Sequence, residues 1–85
     1  MQNKPAHTPD SAHAAALAMG APPAVADWVR ATYAACIAAG YYVYDDGRPG
    51  LAYGWETNYN ELDALIKSAG SGPDADTVFV AFFRE

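Results

Sequence analysis

Two histidines, one cysteine and an adjacent pair of acids are the residues of this chain most suited to metal binding or catalysis. His7 and His13 are six positions apart, which does not place them on one face of a helix, so a zinc site would need further ligands. Asp45-Asp46-Gly47 resembles the start of a calcium loop, but Leu51 and its neighbours cannot continue the oxygen ligands. Cys36 lies in an apolar run with no cation placed to activate its thiol. We therefore predict no catalytic residue, no metal site and no cofactor.

Enzyme signatures are also missing from the sequence. It contains no P-loop, dinucleotide-binding or nucleophile-elbow motif. The glycine-rich run 47–50 follows two acids that would repel a phosphate group. Two carboxylate pairs, Asp45 with Asp46 and Glu56 with Glu61, are candidates for acid–base work, but neither differs from ordinary surface acids. We expect the protein not to be an enzyme.

The most unusual feature is a run of six Tyr and Trp residues within positions 41–59. Alternation along a strand prevents all of them from facing one core, so some are exposed or covered by a partner. Exposed Tyr and Trp are typical anchors of protein interfaces, although a small sheet can also use Tyr as an amphipathic filler. Acids flank this run. The candidate partner-binding residues are Tyr42, Tyr44, Asp45, Asp46, Tyr53, Trp55, Glu56, Tyr59 and Asp63.

Asp63 is included because of a local resemblance. Residues 59–65, Tyr-Asn-Glu-Leu-Asp-Ala-Leu, resemble the inhibitory helix of barstar-type ribonuclease inhibitors. In that family an Asp on this helix blocks a basic active site, and the resemblance implies that role for Asp63. It covers only seven residues, and Lys67 replaces a second acid of the family. The predicted order of elements before residue 59 also differs, so we assign no family.

Helix signals dominate the first half of the chain. Thr8-Pro9-Asp10 provides a cap, a first-turn proline and an acid at the positive helix end, which predicts a helix up to residue 19 before Gly20. A second helix is predicted for residues 24–39. Its outer side combines Asp27 and Arg30 with small side chains, a surface that permits close approach of helix 1 or of the same helix in a second copy. The small side chains are Ala31, Ala34 and Ala38.

The second half predicts a sheet. Residues 41–44 and 51–57 flank a turn-rich loop and indicate a β-hairpin. Asn58 is a predicted cap for an amphipathic helix that ends at Gly70. Residues 77–83 alternate between two apolar faces and predict a third strand. The predicted fold is α+β, in the order α-α-β-β-α-β, with a three-stranded, mostly antiparallel sheet packed against helices. Residues 1–7 are expected to form a flexible tail, and residues 8–85 a single domain.

Composition limits the partners. The chain of 85 residues has a net charge of −5 and is 52% hydrophobic, which indicates a folded, acidic domain. Negative charge disfavours direct binding to nucleic acid or anionic membranes and favours a basic protein surface. The apolar runs are too short for a membrane span, no secretory signal is visible, and unpaired Cys36 fits a reducing cytoplasm. A homodimer is also expected, because so small a core gains from a second copy.

These observations predict a small acidic protein-binding module. We expect it to act as an inhibitor or adaptor of a host or partner protein, of the phage anti-defence or immunity type, without catalysis. Two alternatives stay open. One is a homo-oligomeric assembly component that uses the aromatic segment for self-contact, and the other is a small-ligand-binding protein or enzyme.

Overall fold

The structure, a computed structural model, describes residues 7–38 and 55–83, and these form four helices. They are α1 (Pro9–Ala18), α2 (Pro23–Ala38), α3 (Trp55–Ala69) and α4 (Ala75–Phe83). No strand occurs in these two ranges. The predicted α+β fold with a three-stranded sheet is therefore wrong, and the fold of the described residues is all-helical.

The first two helices match their sequence signals. The hydroxyl of Thr8 accepts the backbone N–H of Ser11, and the Ser11 hydroxyl accepts the backbone N–H of Thr8, a reciprocal capping box at the start of α1. At the other end Gly20 has φ +93°, and the N–H of Ala21 donates to the carbonyl of Ala16. This bond closes α1 with a Schellman turn at Gly20, the residue before which the sequence predicted the helix to end.

The predicted third strand, residues 77–83, is helix α4. Its buried residues are Ala75, Val78, Phe79, Phe82 and Phe83, which follow helical spacing. Asp74 caps the helix, since its side chain accepts the Thr77 backbone N–H at 2.8 Å. Valine and phenylalanine favour strands, but here the buried face and the cap decide the conformation. The alternation was misleading because both of its faces are apolar, and a helical stripe then fits the same residues.

The predicted hairpin is also corrected at its C-terminal end. Its second strand was placed at residues 51–57, yet α3 already begins at Trp55, three positions before the predicted cap Asn58. The remainder of the hairpin lies outside the described residues. Further along, Leu62 is fully buried, whereas Leu65 and Ile66 are half-buried against the core. The amphipathic pattern thus predicted the helix and its inner face correctly but misplaced its first turn.

The core is built mainly by α2 and α4. Helix α1 contributes only Ala12 and Ala16, and within residues 58–69 of α3 only Leu62 is fully buried. The larger groups come from α2 and α4, where Phe83 lies against Trp28 at 5.6 Å and Tyr33 at 5.8 Å between ring centroids. These edge-on and tilted contacts suit aromatic quadrupoles. Small side chains on α1 let it lie close to α2, and aromatic rings fill the wider space between α2 and α4.

His7, which precedes α1, contacts side chains of α2 and α4. Its backbone N–H donates to the Tyr33 hydroxyl at 2.9 Å, and its ring lies 5.5 Å from the Phe82 ring. The Nδ1 atom is 3.2 Å from the Ser11 hydroxyl. The residues before it in the predicted tail, 1–6, lie outside the described ranges.

The α1–α2 turn and the α3–α4 turn lie against each other. Gly72 has φ +100°, and a Cβ atom added there would be 2.8 Å from Cδ of Pro22 and 3.2 Å from the carbonyl oxygen of Gly20. Gly70 has φ +76°, but an added Cβ would meet nothing within 4 Å. Gly72 is thus needed both for its backbone conformation and for close approach of the α1–α2 turn.

Replacement of these glycines separates the two effects. We expect Gly70→Ala to lower the free energy of unfolding by about 1–2 kcal/mol, since only the left-handed conformation is penalised. Gly72→Ala should lower it by a further ~1 kcal/mol or more, because the methyl group also overlaps Pro22. Urea unfolding of both variants measures the difference. Equal losses would show that the two turns do not pack together.

Candidate functional site

A tyrosine links α3 to the first turn of α4 at the surface. The Tyr59 hydroxyl donates to Oδ1 of Asp76 at 2.5 Å, and the Tyr59 ring lies edge-on to Phe79 at 5.6 Å. The ring is half-buried, whereas Asp76 is exposed. Phe79 is itself a core residue, so the phenol is held on one side by the core and at its tip by a carboxylate. Tyr59 is therefore a rigid, amphipathic surface group.

Three carboxylates act on this phenol. Asp76 accepts the hydrogen bond from the phenol, and the negative charges of Asp76, Asp63 and Asp74 also disfavour ionisation of the Tyr59 hydroxyl. Hydrogen bonding to Asp76, then loss of hydration, then the three negative charges raise the pKa of Tyr59 to about 12. We call these four residues, Tyr59, Asp63, Asp74 and Asp76, the α3–α4 acidic surface. Its chemistry is that of an aromatic group among concentrated negative charge.

Two of these acids have local structural roles. Asp74 caps α4, and its hydrogen bond with the Thr77 backbone N–H, with a further bond to the Thr77 side chain, lowers the pKa of Asp74. Asp63 forms an i,i+4 ion pair with Lys67 at 2.9 Å, with the lysine side chain 76% exposed. An ion pair this exposed is weak and rearranges easily. Lys67 therefore offsets only part of the negative charge here.

Only part of the predicted binding set can be placed. Tyr59 and Asp63 lie together on the α3–α4 acidic surface. Trp55 and Glu56 occupy the first turn of α3, at register positions one turn before Tyr59 and two turns before Asp63. The other five predicted residues, Tyr42, Tyr44, Asp45, Asp46 and Tyr53, lie outside the described residues.

Asp74 and Asp76 were missed by the sequence prediction. A strand predicted at residues 77–83 makes the acids before it ordinary loop residues. The signal that finds them is the helix-start pattern Asp74-Ala75-Asp76-Thr77, a capping acid followed by an acid in the first turn. With that pattern recognised, α4 and its acidic N-terminal turn are both predictable.

Glu61 forms a hydrogen bond with the side chain of Trp28. Its Oε1 accepts the indole N–H of Trp28 at 2.6 Å, joining α3 to α2. Trp28 is 8% exposed, so its N–H needs an acceptor from the protein. The carboxylate considered with Glu56 as an acid–base candidate thus satisfies a buried donor.

Metal ligation receives no support in ranges 7–38 and 58–83. No three His, Cys, Asp or Glu side chains there come close enough to hold an ion. His13 instead contacts Asp27 of α2 at 3.1 Å, and Cys36 is buried in the core.

Comparison with known proteins gives no family. The chain matches none of the protein-family models, curated proteins or solved structures with which it was compared. Among the helices described, none is both long enough and apolar enough to cross a membrane.

Alkaline titration tests the Tyr59–Asp76 bond. The ordinary pKa of about 10 rises to about 12 on folding, so the neutral phenol stabilises the fold. That stabilisation is complete below pH 10 and is lost as pH rises through 12. We expect the difference in unfolding free energy between wild type and Tyr59→Phe to be constant below pH 10 and to shrink between pH 10 and 12. A constant difference across this range would contradict the hydrogen bond.

The Trp28–Glu61 bond gives a second stability prediction. Glu61→Ala leaves the indole N–H without its acceptor and should lower the free energy of unfolding by about 1–3 kcal/mol. Glu61→Gln keeps an acceptor oxygen of the same reach and should lower it by less. Thermal unfolding monitored by Trp fluorescence measures both. The bond is not stabilising if Glu61→Ala unfolds at the wild-type temperature.

Proposed function

We propose that this protein is a small acidic protein-binding module without catalytic activity. It acts as an inhibitor or adaptor of a host or partner protein by covering a basic part of that protein's surface. The observation that carries the proposal is the α3–α4 acidic surface, where three carboxylates surround a half-buried tyrosine. Inhibitors of the immunity or anti-defence type combine similarly small size with acidic character, an analogy that rests on those two properties alone.

The charge of this surface favours a basic partner. The whole chain has ten acids and five lysine or arginine residues, so its long-range field is negative. Within the described part of the α3–α4 acidic surface, Lys67 contacts Asp63, while Asp74 and Asp76 are exposed. Such a field accelerates encounter with a basic surface and disfavours acidic ones, an effect that salt weakens.

Tyr59 provides an anchor at low entropic cost. The contacts with Phe79 and Asp76 already restrict its ring and hydroxyl, so binding would order it little further. Val80 follows Asp76 by one helical turn on α4 and is 56% exposed, which adds apolar area beside the acids. An aromatic anchor with a polar tip, next to apolar area and charge, has the composition of an interface centre.

The remaining predicted contact residues are proposed as parts of the same interface. Trp55 and Glu56 precede Tyr59 and Asp63 on the same helix, at spacings of four and seven positions. We propose that Tyr42, Tyr44, Asp45, Asp46 and Tyr53 contribute contacts as well, because their residue types are those of the surface on α3.

Capture from native lysate with matched charge variants tests the proposal. Asp63→Asn with Asp76→Asn removes two charges from the α3–α4 acidic surface while keeping side-chain size. Ala35→Lys with Ala38→Lys changes the net charge by the same amount at exposed positions of α2. We expect the wild type to recover one protein near stoichiometry at low salt. The first pair should weaken purified binding roughly tenfold, and the second pair should have little effect.

Three results would reject the proposal. The first is recovery of no protein by the wild-type chain at low or high salt. The second is equal binding by the two double variants, which would place the interface elsewhere. The third is salt-independent binding, because contact with a basic surface must weaken as ionic strength rises.

A further inference from the structure

The outward side of the α1–α2 hairpin has few polar groups for a solvent-facing surface. We call it the α1–α2 face: Leu17 of α1, with Ala24, Asp27, Arg30, Ala31 and Ala34 of α2, all exposed. Leu17 is 44% exposed, one of two large apolar side chains exposed to that degree in the described residues. Solvent-facing sides of helices normally carry mostly charged and polar residues. This side of α2 instead presents Asp27 and Arg30 as its only charges within the described helix.

These two charges are opposite in sign and remain accessible. Arg30 contacts Asp10 at 3.2 Å, and Asp27 contacts His13 at 3.1 Å, both across the α1–α2 seam. Even so, the Arg30 side chain is 47% exposed and that of Asp27 is 69% exposed. Each can accept a further partner, since Arg has five donors and a carboxylate has two oxygens.

The order of these charges makes the face complementary to itself. Two copies of α2 can lie antiparallel with their outward sides facing each other. If the two-fold axis crosses the helices at the height midway between residues 27 and 30, position 27 of each copy is opposite position 30 of the other. Asp27 then faces Arg30 twice, the reciprocal contact that a two-fold interface requires. The alanine side chains allow close approach of the helix axes, and the second copy covers the exposed apolar side chain of Leu17.

From this complementarity we infer that the α1–α2 face binds a second copy of this chain, forming an antiparallel homodimer through α2. A basic protein partner fits this face less well, because the charge of its one acid, Asp27, is offset by that of Arg30 and its other residues are apolar. A small core also favours dimerisation, because a second copy buries additional apolar surface. Helix α1 contributes only two buried alanines to the core of this 85-residue chain. The α3–α4 acidic surface uses other residues, so this inference is independent of the proposed function.

Charge reversal tests the dimer and its geometry. Sedimentation equilibrium over a concentration series should give the wild type twice its chain mass of 9.0 kDa. Asp27→Arg or Arg30→Asp alone places like charges opposite each other and should weaken dimerisation at least roughly tenfold. The double variant restores opposite charges and should recover most of the lost affinity. Circular dichroism of every variant checks that the helices still form.

A second pair of variants separates the face from general effects of charge. Ala31→Glu places two new carboxylates near the proposed axis and should yield a monomer. Ala64→Glu makes the same change at an exposed alanine of α3 and should leave the dimer intact. A wild-type chain that is monomeric throughout the series would overturn the inference. So would a dimer that Ala31→Glu and the single charge reversals leave unchanged, because it would use another surface.

Discussion

The packing of Phe83 against aromatic rings from two helices is the interaction on which the described structure most depends. Phe83 is fully buried, and its ring lies 5.6 Å from Trp28, 5.8 Å from Tyr33 and 5.8 Å from Phe79. Among the described residues, the other fully buried large side chains are Val25, Val29, Leu62, Val78 and Phe82, and α1 adds only alanine to this core. Burial of apolar area is the main favourable term in folding, so a small domain with so few large groups relies on its aromatic residues.

The same cluster positions the candidate binding surface. The Phe79 ring contacts both Phe83 and Tyr59, so it links the surface ring of Tyr59 to the buried ring of Phe83. Formation of α4 also brings Asp74 and Asp76 into its first turn, where the positive end of the helix stabilises carboxylates. Acidic groups are thus held near Tyr59 by helix formation and core packing, with little loss of freedom left for binding. The formation and packing of α4 therefore determine both the support of Tyr59 and the position of the acids beside it.

The sequence predicted those parts whose signals are local. Thr8, Pro9 and Gly20 fixed the bounds of α1 to within a residue, and the spacing of Leu62, Leu65 and Ile66 predicted the inner face of α3. Residues 77–83 were misassigned because their apolar side chains fit both a two-residue and a 3.6-residue period. The cap at Asp74 and the contacts of Phe83 with Trp28 and Tyr33 favour the helix. For the site, Tyr59 and Asp63 were predicted as partner-binding residues and lie on one surface, whereas Asp76 depended on recognising α4.

The most direct test of this account is nuclear Overhauser spectroscopy of the C-terminal segment. A helix at Ala75–Phe83, packed by Phe83, predicts sequential amide contacts along the segment and contacts from the Phe83 ring to the Trp28 indole. The Tyr59 ring should in turn show contacts to Phe79. Strong α-proton to following-amide contacts, with cross-strand contacts in place of those to Trp28, would contradict it. That result would remove both the aromatic core and the basis for the acidic surface.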